Sequence, residues 1–167
     1  MPASDAKQFV ISREFDAPRP LVFSCLTRVE HLRHWWGPKG FVVVKLEMDL
    51  RPGGIQHYAL RGPDGAIMWG KFVYREIVAP QRIVLIDSFS DAADNTTHHP
   101  MSPTWPLEML STFLFDEVEK TRTKLTVKWS PHNSDETGRA TFAAGHASMK
   151  QGWTGTLDQL ATYLAKA

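Results

Sequence analysis

Asp87 lies in the stretch RIVLIDSF, where it shares strand parity with Ile83, Leu85 and Phe89. If that face turns inward, a carboxyl group stands among apolar side chains and its charged form is penalised by lost hydration. Such a group exchanges a proton near neutrality and can serve as a general acid or base. The alternative is an aspartate at the open end of a sheet, hydrated or bonded to loop amides. His57 raises the same two readings from its place beside Ile55 and Ala59 on one strand face. Asp87 and His57 are the candidate catalytic residues.

Other reactive side chains form no recognisable constellation. His98 and His99 are adjacent, just before Pro100, and as metal ligands they would need His57, Asp87 or His132 as partners. Nothing has the spacing of a metal motif, so no metal is expected. RPGGIQHY has two glycines but no following Lys-Ser or Lys-Thr, which leaves it a bend leading into a strand rather than a phosphate loop. No cofactor is expected. Cys25, between Phe23 and Leu26, reads as a small buried hydrophobe, and His146 as a packing residue beside an apolar stripe.

The clearest grouping is aromatic and methionine-rich. Trp35, Trp36, Met68, Trp69, Phe72, Phe89, Trp105, Met109, Phe113, Phe142, Met149 and Trp153 come from nearly every segment of the chain. Residues of these types fill any core. They also wall apolar pockets, and methionine adapts its shape to loosely defined ligands.

The elements that must position these side chains follow from hydrophobic periodicity. Residues 9–15 alternate as a first strand, and DAPRP then ends it. Two prolines suit the first turn of a helix, and LVFSCLTRVEHLRHWW continues as a helix and a second short one ending at Gly37-Pro38. Adjacent Trp35 and Trp36 point about 100° apart on a helix, so both can be buried only where the chain ends or bends. Period-two segments follow: FVVVKLEMD, IQHYALRG, AIMWGKFVYREIV, QRIVLIDSF, LEMLSTFLFDEV and TKLTVKWS. With the first strand that makes about seven, joined mostly by short turns such as RGPDG, so the sheet is expected to be antiparallel.

The segment 90–106 is long, polar and proline-rich; it reads as a surface loop or as a lid or pocket rim. From about Asp135 the chain reads as one long helix capped by Ser134 or Asp135. Phe142, Met149, Trp153, Leu157, Leu160 and Leu164 fall on one face. Gly138, Gly145 and Gly152 recur within it every seven residues. Each costs about 1 kcal/mol against alanine, so close packing or reserved space must offset it. Close packing is expected at Gly152 and spare room at Gly145. A sheet followed by one long amphipathic helix defines an α+β domain.

The composition agrees. The chain has 167 residues, 43% hydrophobic and 22% charged, which fits one domain over 1–167. A net charge of +1 with interspersed signs argues against nucleic acid or an anionic membrane as partner. A single cysteine, no apolar signal core in MPASDAKQ and no run of about 20 apolar residues point to the cytoplasm.

FDAPRPLVFSCLTRVEHLRHWWGPKGF, MDLRPGG, GPDG, the glycine of WGKF, PQRIV and MKQGWTGTLDQLATYL occur in that order. Together they resemble the Hsp90-ATPase-activator-homologue-like branch of the START-related, Bet v 1-like superfamily, over about 9 to 164, almost the whole chain, which marks the core of the domain. The resemblance implies a helix-grip fold: a curved antiparallel sheet of six to seven strands around a long C-terminal helix, with two short helices after the first strand. It implies a cavity between sheet and helix, with Trp35 and Trp36 where the short helix turns back into the sheet. It carries over no catalytic residue. The co-chaperone that names the branch has a separate chaperone-binding domain that this sequence does not contain, so an Hsp90-type chaperone is not the expected partner. The expected partner is a small hydrophobic or aromatic molecule. The cavity walls are expected from Trp35, Trp36, Met68, Trp69, Phe72, Phe89, Met109, Phe113, Phe142, Met149 and Trp153. A cofactor-independent enzyme of cyclase or hydrolase type and a co-chaperone-like interaction module are the rival readings. Pairing of two copies through a sheet edge or a helix, giving a homodimer, is open to such a domain.

Overall fold

The computed structural model describes residues 8–166. The MPASDAK start and Ala167 lie outside the described residues, as do the ends of the 1–167 domain assignment. The first strand, β1 (Phe9–Phe15), is followed by α1 (Arg19–Thr27) and α2 (Val29–Trp35). Then come β2 (Val42–Met48), β3 (Ile55–Arg61), β4 (Ile67–Val78), β5 (Arg82–Ser90) and the two-residue β6 (Thr96–Thr97). The chain ends with β7 (Glu108–Glu119), β8 (Arg122–His132), α3 (Glu136–Ala144) and α4 (His146–Lys166).

The sheet is antiparallel in the order β1-β8-β7-β5-β4-β3-β2, with β6 added to β5. Seven of these strands are the period-two segments of the sequence; the eighth, β6, is a half-buried pair within the long polar loop. Register shifts at Val43/Lys45, Tyr74/Glu76 and Glu117/Glu119 insert extra residues into three strands. Such bulges bend a strand and increase its twist, which curves the sheet into an open, unclosed trough. The fold is the α+β helix grip, with α4 lying along the trough.

The short helices answer the question of the paired tryptophans. Pro18 caps α1 in an extended conformation, and Pro20 sits in its first turn, where the missing N–H costs nothing. Trp35 is the last residue of α2, and Trp36 is already extended at ψ 132°. Gly37 follows at φ +109°, a left-handed conformation that a side chain would strain. Because the helix stops between them, both rings turn inward, at 2% and 8% exposure.

The C-terminal region departs from expectation. It is not one helix: α3 ends at Gly145, which caps it, and α4 begins at His146. Asp135 caps α3, its carboxylate accepting the Gly138 N–H at 2.7 Å. The apolar stripe crosses the break because the two helices share the same buried side, with Phe142, Met149, Trp153, Leu157 and Leu160 all in the core.

Candidate functional site

A pocket of about 380 Å³ lies between the trough of the sheet and α4. Strand alternation selects its sheet wall. Tyr58 and Leu60 come from β3, Met68, Gly70 and Phe72 from β4, and Asp87 and Phe89 from β5. Met109 and Phe113 come from β7 and Trp129 from β8. Helix α4 supplies Ser148, Met149, Gly152, Trp153 and Thr156, one face at helical spacing. Trp36 with Gly37-Pro38 and His99 with Trp105 complete the lining.

The aromatic side chains form a continuous series of edge-to-face contacts. Trp36 meets Tyr58 at 5.7 Å, Phe72 at 5.6 Å and Trp153 at 6.0 Å between ring centroids. Trp153 in turn meets Phe113 at 5.9 Å and Trp129 at 5.5 Å. This geometry brings positive ring edges to negative ring faces and fixes each ring against its neighbours. Gly70 makes room for one of them: a Cβ there would stand 2.4 Å from Cζ and the hydroxyl oxygen of Tyr58.

Asp87 is the one acidic side chain in the lining among the described residues. It sits on the central strand β5, paired with Phe72 on β4 and Met109 on β7, and is 8% exposed. Ser111 donates a hydrogen bond to its Oδ2 at 3.2 Å. Burial pushes the carboxyl pKa up to about 7, against a smaller opposing effect of the Ser111 bond. Of the two readings of Asp87, the structure takes the inward one. Tyr58 stays a neutral phenol, its pKa raised first by burial and then by the Asp87 charge. His99 is held below the ordinary histidine range by desolvation. Its Nδ1 accepts the Met101 N–H at 3.0 Å. The buried indole N–H groups of Trp105 and Trp129 have no hydrogen-bond partner among the described residues.

Other expected site residues lie elsewhere. His57 is buried, but parity places it on the opposite face of β3 from Tyr58. There its Nε2 lies 3.0 Å from the Asp91 carbonyl oxygen and 3.3 Å from Ser90 Oγ, and its ring stacks on Trp69 at 5.1 Å. His57 and Asp87 are therefore not brought together. Trp69 borders the pocket, yet its ring belongs to that outer face, with Lys45 Nζ 5.5 Å from its centroid. Trp35 lies under the site rather than in it, donating Nε1–H to the Cys25 carbonyl at 3.0 Å. Phe142 is fully buried behind Trp105, with centroids 5.5 Å apart, and does not line the pocket. Met68, Phe72, Phe89, Met109, Phe113, Met149, Trp153 and Trp36 do line it.

The long loop divides in two. Residues 91–95 form an ordered turn on the outer face, with Asp91 Oδ1 accepting the Ala93 and Asn95 N–H groups and Lys71 donating to the Asp94 carbonyl. Farther on, His99 and Trp105 return to the pocket rim, His99 lying 4.6 Å from Phe89 and 5.9 Å from Trp105. His132 lies near Arg75 and Asn133 instead. Among the described residues, no three His, Cys, Asp or Glu side chains are grouped to hold a metal ion. No helix among them is long and apolar enough to cross a membrane.

The glycines reverse their expected roles. A Cβ at Gly152 would meet nothing within 4 Å, so the space there is open, and Gly152 lines the pocket. At Gly145 it would stand 3.1 Å from Trp105 Cζ3, a close approach.

Sequence reasoning missed Tyr58, Leu60, His99 and Trp129 as lining. Parity was the available signal: Tyr58 and Leu60 alternate with His57 and Ala59, and Trp129 continues the row Leu125, Val127. No sequence signal marked which half of the loop would reach the rim.

An open trough gripping one long helix over an apolar pocket defines a helix-grip protein of the START-related, Bet v 1-like kind. Residues 16–165 match the family of Activator of Hsp90 ATPase homolog 1-like proteins. The chain belongs to that family. A solved structure from Arthrobacter aurescens is similar over 100% of this chain and 91% of its own, at 24% identity and a TM-score of 0.78. One from Mycobacterium smegmatis is similar over 96% and 92%, at 23% identity and 0.74. The AHSA1 protein from Silicibacter pomeroyi is similar over 95% and 97%, at 20% identity and 0.70. At these identities the likeness speaks to the fold. No curated protein matches the sequence.

Proposed function

We propose that the protein binds one small apolar or aromatic molecule between the sheet and α4. One observation carries this reading: about 380 Å³ stands open among aromatic and methionine side chains in a chain of 167 residues. Protein interiors ordinarily close to crystal density and leave few voids larger than a water molecule. Open apolar volume forfeits packing energy, so a fold that keeps it gains by having it filled. The size suits a small organic molecule, and pockets of this kind place a few polar groups in an apolar wall. Here those groups are Asp87, Tyr58 and His99. We place the activity in the cytoplasm, on the single cysteine, Cys25, which is buried with its thiol pKa pushed up to about 11.

Native mass spectrometry of protein purified from cells tests the reading. A noncovalent adduct of stoichiometry one, lost on denaturation, is the expected result. Protein that carries no adduct and takes up no member of a panel of small aromatic alcohols overturns it.

A second reading, turnover of the bound molecule, is favoured by Asp87: a carboxyl group facing the pocket with a pKa near neutrality can give or take a proton there. Consumption of the adduct on incubation, abolished by Asp87→Asn, is its signature. The family's name refers to stimulation of a chaperone ATPase. For this chain, that activity is supported by the family match alone.

A further inference from the structure

The pocket's polarity is one-sided. Among the described residues, its lining contains an aspartate and no lysine or arginine on any wall. An anion entering it would face a like charge without a counter-ion. A wholly apolar molecule would displace water from the carboxylate oxygen that Ser111 does not bond, which is costly while the group is ionised. A neutral donor would satisfy one hydrogen bond. A cation alone would pair with the carboxylate and also meet ring faces, since Trp36, Tyr58, Phe72, Phe89, Phe113, Trp129 and Trp153 surround the space. Aromatic faces attract a cation, most strongly where water is excluded.

We propose that the pocket selects small organic cations: a protonated amine or quaternary ammonium on an apolar body, its charge beside Asp87 and within the aromatic box. This rests on the pocket being a ligand site and adds the charge of the ligand. The groups facing Asp87 support it. Ser111 on β7 donates to one oxygen only, Tyr58 on β3 stays neutral, and α4 contributes Ser148 and Thr156 but no charged side chain to the lining. His99 at the rim titrates below the ordinary histidine range, so above pH 7 Asp87 is the lining's remaining ionisation. A bound cation favours the ionised carboxylate, so its affinity rises with pH through about 7.

Calorimetric titration with three probes that share one body tests this: 4-phenylbutylamine, 4-phenylbutanol and 4-phenylbutanoate. At pH 8 the amine should bind about tenfold or more tighter than the alcohol, and the carboxylate weakest of all. The amine's advantage should shrink between pH 8 and pH 6, where the amine itself stays charged. In Asp87→Asn, checked for a cooperative thermal transition, the ratio of amine to alcohol affinity should fall toward one and lose its pH dependence. If that variant does not fold, the pH dependence of the ratio in the wild-type protein carries the test. Alcohol binding equal to or tighter than amine binding, or an amine preference of unchanged size and pH dependence in Asp87→Asn, overturns the cation proposal and leaves the pocket reading standing. Failure of all three probes overturns the cation proposal, and the pocket reading falls with it only if the native mass spectrum also shows no adduct.

Discussion

Asp87 is the residue on which stability and recognition meet. Its carboxyl pKa is about 7 in the folded protein, against an ordinary value near 3.8. Between those values the folded state holds a proton that the unfolded chain has released, so raising the pH through this window costs stability, and the loss is complete above about 7. Asp87→Asn removes the titration. It should therefore stabilise the protein at pH 8 by about 1–4 kcal/mol and make little difference near pH 4. Urea midpoints at the two pH values check this; a gain of equal size at both would show that Asp87 is not penalised by burial. The inward face of β5 was legible from Ile83, Leu85 and Phe89, but the choice between a buried and a hydrated Asp87 was not. That choice depends on the strands paired on either side, which bring Phe72 and Met109 beside it. The turn at 91–95 that covers His57 left no local signal, because such a contact joins residues far apart in the chain.

At the scale of elements, the C-terminal helices carry the sharpest predictions. Their amphipathic stripe could be read from the sequence, whereas the break could not, since a glycine at seven-residue spacing looks the same inside a helix as at its end. Gly152 stands in the middle of α4 with open space beyond its Cα. Gly152→Ala should raise stability by up to about 1 kcal/mol through helix propensity and weaken ligand binding by taking up pocket volume. At Gly145 the added methyl presses on Trp105, which packs against Phe142, and the variant should lose about 1 kcal/mol or more. Denaturant midpoints at unchanged slope measure both signs. Destabilisation by Gly152→Ala would mean that α4 sits closer to the sheet than described. Trp153, on the same helix, is 7% exposed and touches Trp36, Phe113 and Trp129. Trp153→Ala should cost about 3 kcal/mol or more, and a loss under about 1 kcal/mol would contradict its place in the core.

For the molecule as a whole, period-two segments, short turns and a final amphipathic stripe were enough to specify an antiparallel sheet covered by a helix. The curvature that leaves a pocket open was implied by the family resemblance and not by the periodicity, because it arises from bulges whose register is set across strands. The central claim is that this open space receives a ligand, and the six tryptophans report on it. Trp36, Trp105, Trp129 and Trp153 line the pocket with their neighbours. Trp35 is turned away onto the Cys25 carbonyl, and the Trp69 ring is on the outer face against His57. Following the six indole N–H resonances by nitrogen–proton NMR during titration with 4-phenylbutylamine tests the claim most directly. The account predicts saturable shifts of the four pocket indoles, with the signals of Trp35 and Trp69 nearly still. Unmoved pocket indoles, or shifts confined to Trp35 and Trp69, would contradict it.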